Sequence, residues 1–307
     1  KGKFDGGWDR LREQTLARQI KLGVVPKGTR LTPRPPEIPA WDSLSPEQKR
    51  LFARQMETFA GFAAHTDHEI GRLVQAVREL GEIENTLIVY IAGDNGASAE
   101  GGPSGSYNEM LALNGIVSDI SSQLPHLEEW GSPNTFPHYA VGWAHAGNTP
   151  FQWTKQVASH FGGTRNGMVM HWPARIKKKG EVRAQFHHVI DIAPTVLEAA
   201  TLPEPTSVNG TKQRPMDGVS MVYTFDDAKA ADRRTTQYFE MFGNRAIYHD
   251  GWVAATRHSI PWLMVPLPPF DQDRWELYHV ARDFSQSTDL AAKNPEKLKQ
   301  LQALFVE

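Results

Sequence analysis

Residues 85–98 read NTLIVYIAGDNGAS. From Thr86 to Ala92 nearly every side chain is apolar, and then the chain turns abruptly polar through Gly93, Asp94, Asn95 and Gly96. A short strand that is apolar on both faces is expected to be buried on both faces. That predicts a mostly parallel sheet flanked by helices, an α/β fold. In such sheets ligands sit beyond the carboxyl ends of the strands, which is where Asp94 and Asn95 fall. A carboxylate and a carboxamide offer hard oxygens suited to Ca²⁺ or Mg²⁺. Taken alone, Asp-Asn-Gly is also ordinary turn chemistry, and the later ligands of an EF-hand loop do not follow it.

Working outward, the strand is preceded by a long helical pattern. Ser45 is placed to cap it, Pro46 suits its first turn, and Gln48 completes a capping box. Leu51, Phe52, Met56, Phe59, Phe62, Ile70, Leu73, Val74 and Val77 recur at roughly helical spacing, and Leu80-Gly81 ends the run. Asp67 and His68 lie inside this helix, with solvent or helix-to-sheet hydrogen bonds as the expected partners. Residues 8–22 predict another helix, and the proline-rich stretch 24–44 predicts an extended segment over the surface. Residues 97–150 have weak periodicity and much Gly, Ser, Asn, Pro and His, and read as a functional insertion. Residues 167–172 predict a second strand and 188–200 a helix with Asp191 near its start. From residue 237 the pieces become short, aromatic and β-prone, with turns such as His249-Asp250-Gly251, and a closing helix spans 289–305. The expected organisation is an α/β domain over 1–232 and a small antiparallel α+β subdomain over 233–307.

Composition narrows the function. The chain has 307 residues, a formal net charge of −2 and no cysteine. There is no basic field for nucleic acid, and no apolar run approaches the ~20 residues of a membrane span. Disulfides, thiolate metal sites and a cysteine nucleophile are excluded within these residues. The chain opens KGKFDGGWDR, without an initiator methionine, so an upstream part is expected.

A second feature gives the acid–amide pair its context. Residues 150–173 read PFQWTKQVASHFGGTRNGMVMHWP. Lys155 and His160 precede a double glycine that permits close backbone approach to a ligand. Both can present N–H donors to an anion, although a surface lysine and a loop histidine are the plainer readings of each alone. Trp143, His145 and Trp153 either line an aromatic-accepting pocket or anchor the loop by packing. His187 and His188, neighbours at a helix start, do not face one ion together.

Together these pieces resemble the sulfatase family of the alkaline-phosphatase-like superfamily. The resemblance runs almost end to end: FARQMETFAGFAAHTDHEIGRLVQAV, NTLIVYIAGDNGAS, the K…GGTRNG…HWP segment, FHHVIDIAPTVLEAA, the MDGVS turn and WELYHVARDFSQSTDLA. It is most similar to bacterial arylsulfatases of broad substrate range. The resemblance implies part of an alkaline-phosphatase-like mostly parallel sheet with a small C-terminal subdomain. It implies hydrolysis of a small-molecule sulfate ester by a formylglycine hydrate, with a divalent cation, usually Ca²⁺ and alternatively Mg²⁺. It assigns Asp94 and Asn95 as two cation ligands and Lys155 as a contact to a sulfate oxygen, with His160 a further pocket candidate and Arg165 structural. Where the family usually has Glu or Gln before the glycines, this chain has Phe161.

The nucleophile motif, the N-terminal acidic ligand pair and the upstream lysine and histidines of the family are missing from these residues. The chain is therefore expected to be the C-terminal portion of a larger enzyme, with the N-terminal portion as its partner, and to be inactive alone. Two alternatives stand beside this: a phosphonate or phosphodiester hydrolase of the same superfamily, and a non-catalytic fragment or pseudoenzyme. Family members are often exported, which makes a periplasmic or secreted location compatible, but the residues themselves leave the compartment open.

Overall fold

The computed structural model describes residues 1–116, 118–263 and 265–307; Val117, within the stretch read as an insertion, lies outside the described residues. Two compact units are formed. Unit 1 comprises Lys1–Leu73, Gly93–Gly167 and Tyr238–Glu307, and unit 2 comprises Val74–Ala92 and Met168–Gln237. The helices are α1 (Gly7–Leu22), α2 (Pro46–Glu79), α3 (Met110–Leu113), α4 (Ile120–Gln123), α5 (Val141–Gly147), α6 (Phe161–Thr164), α7 (Ile192–Ala199) and α8 (Pro295–Val306). The strands are β1 (Ile88–Ile91), β2 (Met168–His171), β3 (Ser207–Val208), β4 (Thr211–Lys212), β5 (Thr236–Met241), β6 (Asn244–His249), β7 (Trp252–Thr256) and β8 (Trp275–His279). Among the described residues no helix is long and apolar enough to cross a membrane.

The start of α2 forms as its sequence dictates. The Ser45 hydroxyl accepts from the Gln48 amide at 3.2 Å, and the Gln48 side chain accepts from the Ser45 amide at 2.9 Å, so two amides that the helix leaves unpaired are satisfied. The first turns bury Leu51, Phe52 and Ala53. Farther along, Phe59, Phe62 and Leu73 of the same apolar stripe are exposed, as are Asp67 and His68.

The core of unit 1 is aromatic. Trp8 of α1 meets Trp41 edge-on at 4.9 Å and Trp143 of α5 at 5.5 Å between ring centroids. The Trp143 indole donates to the Phe52 carbonyl at 2.7 Å. Burying each such side chain contributes about 1.5–3 kcal/mol. One expectation is corrected here. The proline-rich stretch does not simply lie over the surface: Ile38 and Trp41 are core residues, and the buried positions 32, 35, 38, 41 and 44 recur every third residue, the three-per-turn period of polyproline backbone. Parts of the stretch 97–150 also reach the core, with Leu127, Trp130, Ala140, Val141 and Trp143 buried.

Residues from Thr236 to His279 form the expected antiparallel sheet, in the order β5-β6-β7-β8. Asp250 and Gly251, with φ of 47° and 78°, close the β6–β7 hairpin in the left-handed conformation that matches strand twist. Leu301 of α8 is buried with Ile247, Ala254 and Leu277, giving this sheet its own apolar core within unit 1.

In unit 2 the expectation of parallel pairing is corrected: β1 pairs antiparallel with β2, in a register that sets Ile88 opposite His171 and Ile91 opposite Met168. The chain leaves β1 and enters β2 at the same end of the pair, so no crossover is made and these two strands run antiparallel. Nor is the pair buried on both faces, since Tyr90 and Val169 are exposed. Asp191 is fully buried and receives the Arg234 guanidinium through both oxygens, with Nε at 3.0 and 3.1 Å. It also accepts from the amides of His188 (2.9 Å) and Val219 (2.7 Å). Burial works to raise the Asp191 carboxyl, but hydrogen bonds from His187, Arg234, Val219 and His188 outweigh it and hold the group well below the usual carboxylate range.

Candidate functional site

After β1 the chain turns at Gly93, whose φ is 116°, and presents Asp94 exposed and Asn95 half-buried. Their side chains meet: Asn95 Nδ2 donates to Asp94 Oδ1 at 2.5 Å. The turn is packed against the double-glycine turn of 162–163. Gly96 N donates to Gly163 O at 2.9 Å, and a Cβ on Gly96 would lie 1.7 Å from Gly162 O. Glycine is required there by contact between two backbones. Asn166 Nδ2 donates to Asn95 O from the other side.

Lys155 reaches the same place through the backbone. Its amide donates to Ala97 O at 3.1 Å, two residues beyond Asn95. Buried Asn148 joins the two strands of this loop cluster, accepting from Ala97 N at 2.7 Å and donating to Trp153 O at 3.1 Å. The structure thus brings Asp94, Asn95 and the Lys155 backbone together in unit 1. The Lys155 ammonium pairs with Glu100, at 3.1 Å to Oε1 and 3.2 Å to Oε2. Glu100 also accepts from Gln156 Nε2 (3.0 Å) and Ser98 Oγ (3.0 Å), while His138 Nε2 lies 2.9 Å from Ser98 Oγ. Partial burial opposes ionisation of Glu100, yet the hydrogen bonds from Lys155 and Ser98 hold its carboxyl below the ordinary value.

His160 is only 1% exposed, and both ring nitrogens are engaged within the protein: Nδ1 with Ser159 Oγ at 2.9 Å and Nε2 with Glu276 Oε2 on β8 at 2.9 Å. Glu276 also accepts from the Tyr278 hydroxyl at 2.8 Å. Burial acts to raise the Glu276 carboxyl, but His160 and Tyr278 hold it below its usual value. The adjacent Phe161 amide donates to Gln286 Oε1 at 2.7 Å. These bonds fasten the double-glycine turn to the C-terminal sheet. Arg165, following that turn, lies over three rings, with its guanidinium carbon 4.0 Å from the Phe284 centroid, 5.1 Å from Phe161 and 5.5 Å from Phe151. Burial lowers it to about 10.

Trp143 and His145 sit in the buried helix α5, so they anchor rather than line a pocket. Trp153 is packed with Val157 and Ile260. The His188 ring accepts from the Ile190 amide as a helix cap. Among the described residues, no group of three or more His, Cys, Asp and Glu side chains stands ready to hold a metal. Asp94 and Asn95 supply two adjoining side chains with hard oxygens, a fit for part of a Ca²⁺ coordination sphere. Glu100, Gln156, Ser98 and Asn148 carry no motif of their own in the sequence; Ser98 and Glu100 lie in the ASAEGG stretch and Gln156 follows Lys155, while Asn148 stands two residues before the PFQWTK segment.

The profile of the Sulfatase family matches residues 8–202, and that of the N-sulphoglucosamine sulphohydrolase C-terminal region matches 153–305. The chain belongs to the sulfatase family. It is similar to an uncharacterized sulfatase of Schizosaccharomyces pombe, 29% identical over 98% of this chain and 52% of that protein. It is also similar to the arylsulfatase of Klebsiella aerogenes, 30% identical over 76% of this chain and 48% of that one. This sulfatase chain therefore spans about half the length of the curated relatives it matches. Its fold is that of a solved chain described under metabolism of multiple glycosaminoglycans by Bacteroides thetaiotaomicron. The TM-score is 0.50 at 16% identity, covering 97% of this chain and 53% of that one.

Proposed function

We propose that residues 1–307 are the C-terminal portion of an arylsulfatase-type enzyme that hydrolyses a sulfate monoester. In the reaction a water-derived oxygen forms a new bond to sulfur, the S–O bond to the alcohol breaks, and the released alkoxide or phenoxide takes up a proton. The nucleophile, a formylglycine hydrate, belongs to polypeptide outside this chain, as do the remaining cation ligands. The observation that carries the reading is the loop cluster of unit 1, where the Asp94–Asn95 pair and Lys155 are joined through Ala97.

Within that assembly Asp94 and Asn95 hold a divalent cation, Ca²⁺ or alternatively Mg²⁺, by side-chain oxygens. When bound, the ion supplies positive charge to the sulfate oxygens and the nucleophile. For Asn95 this means turning its amide, since Nδ2 now faces Asp94. Lys155 aims a cationic donor at charge that grows on the ester oxygens. His160 serves by holding the double-glycine turn, on which the 94–96 turn rests, to Glu276.

The experiment is turnover of para-nitrophenyl sulfate by residues 1–307 alone and by the whole protein, each with added Ca²⁺. The reading expects turnover only from the whole protein, abolished by Asp94→Ala. Turnover by residues 1–307 alone would overturn the placement of the nucleophile. Preference for a phosphodiester or phosphonate would favour the other hydrolases of the superfamily.

A further inference from the structure

Lys155 does not stand in the site as a free cation. Its partner Glu100 is fixed from three sides, by Lys155, by Gln156 Nε2 at 3.0 Å and by Ser98 Oγ at 3.0 Å. The Ser98 hydroxyl is itself oriented. His138 Nε2 lies 2.9 Å from Ser98 Oγ, while its Nδ1 stands 3.1 Å from the Gly101 amide and 3.0 Å from the Tyr139 carbonyl oxygen, so the ring is held in place beside the hydroxyl. The Ser98 hydroxyl donates to Glu100 Oε2 at 3.0 Å. Such a carboxylate is not simply a surface counter-ion that swings away when an anion arrives. Yet the pair is accessible, with the Lys155 side chain 33% and the Glu100 side chain 44% exposed, so a ligand can approach the ammonium without displacing Glu100.

We propose that Glu100 is a specificity-determining residue: by neutralising Lys155 it favours a singly charged sulfate monoester over a doubly charged phosphate monoester. This rests on the sulfatase reading and adds the determinant of its selectivity. Sulfate and phosphate monoesters share tetrahedral geometry and differ in charge, so shape cannot separate them and the local field must. An ester oxygen about 3 Å from Lys155 Nζ lies about 6 Å from the Glu100 carboxylate. At an effective dielectric of about 20–40, one additional negative charge at that distance is disfavoured by about ten- to a hundredfold. The Lys155 ammonium still donates to the sulfate, while the second charge of a phosphate finds no matching excess of positive charge.

The test is the ratio of kcat/KM for para-nitrophenyl phosphate to that for para-nitrophenyl sulfate. It is measured on the whole protein at about pH 8, where the phosphate ester carries both charges. Wild type is compared with Glu100→Gln and Glu100→Asp, and thermal unfolding verifies that each variant is folded. Glu100→Gln is expected to raise the phosphate-to-sulfate ratio at least tenfold, with Glu100→Asp staying near wild type. An equal loss on both esters, with the ratio unchanged, overturns the inference and leaves Glu100 as a brace for the loop. If wild type turns over neither ester, the sulfatase reading falls. The charge inference is then read from calorimetric binding of phenyl sulfate and phenyl phosphate, where Glu100→Gln must shift the affinity ratio in the same direction or the inference fails too.

Discussion

Replacing Asp191 by Asn removes one charge from a fully buried pair and leaves Arg234, only 8% exposed, without its anion. The guanidinium keeps the Gln237 side chain and the Asp217 carbonyl as neutral acceptors, and the His188 and Val219 amides each face a site half converted to a donor. Breaking a buried pair from one side costs about 3–5 kcal/mol. With an m-value of about 2 kcal/mol/M, the urea midpoint of unit 2 falls by about 1.5–2.5 M. Trp172 reports on it directly, as the one tryptophan in that unit, packed on Phe225. Removing both charges in Asp191→Asn/Arg234→Met should cost less than the two single changes added together. The pH dependence has a definite sign. The folded carboxyl is held below its unfolded value, so its stabilisation is complete above the unfolded value of about 3.9 and is lost as pH falls toward the folded one. The deficit of Asp191→Asn should therefore be constant above about pH 5 and shrink in acid. A deficit under about 1 kcal/mol at neutral pH, or one that persists unchanged in strong acid, would refute the reasoning.

Three further outcomes are expected. Gly96→Ala should destabilise the loop cluster and abolish cation-dependent activity, because its Cβ would meet Gly162 O at 1.7 Å; crystallography or hydrogen exchange at 94–97 reads the displacement. Arg165→Ala should lower stability by about 1–2 kcal/mol through loss of the contacts with Phe284, Phe161 and Phe151, measured by denaturant unfolding, with Arg165→Lys recovering only part. Lys155→Ala in the whole protein should lower kcat by about 10²–10³-fold while its unfolding curve stays close to wild type.

Local chemistry was legible in the sequence wherever a short-range rule acts alone. The Ser45–Gln48 capping box, the Asp250-Gly251 turn and the glycine-bounded Asp94–Asn95 turn all form from residues within a few positions of one another. What escaped is what depends on distant partners. The all-apolar run of β1 says that it resists water but not which way its neighbour runs, and the neighbour enters from the same end. The stretch 97–150 lacks helical period because its core residues come in short turns, yet Trp143 is among the most buried side chains. Arg234 is 43 positions from Asp191, and Glu276 is 116 from His160, so neither pair leaves a local mark. The candidate site was visible as two motifs; the carboxylate paired with Lys155 was not, since Glu100 has no distinguishing spacing.

The central claim is that Asp94, Asn95 and Lys155 act together on a sulfate ester with a divalent cation. Its most direct test is Ca²⁺-dependent hydrolysis of para-nitrophenyl sulfate by the whole protein and by Asp94→Ala, Asn95→Ala and Lys155→Ala, with Ca²⁺ affinity measured in parallel by calorimetry. The account predicts weakened Ca²⁺ binding in the first two variants, unchanged binding in Lys155→Ala, and loss of turnover in all three. Wild-type turnover that survives chelation and the Asp94→Ala change would contradict it.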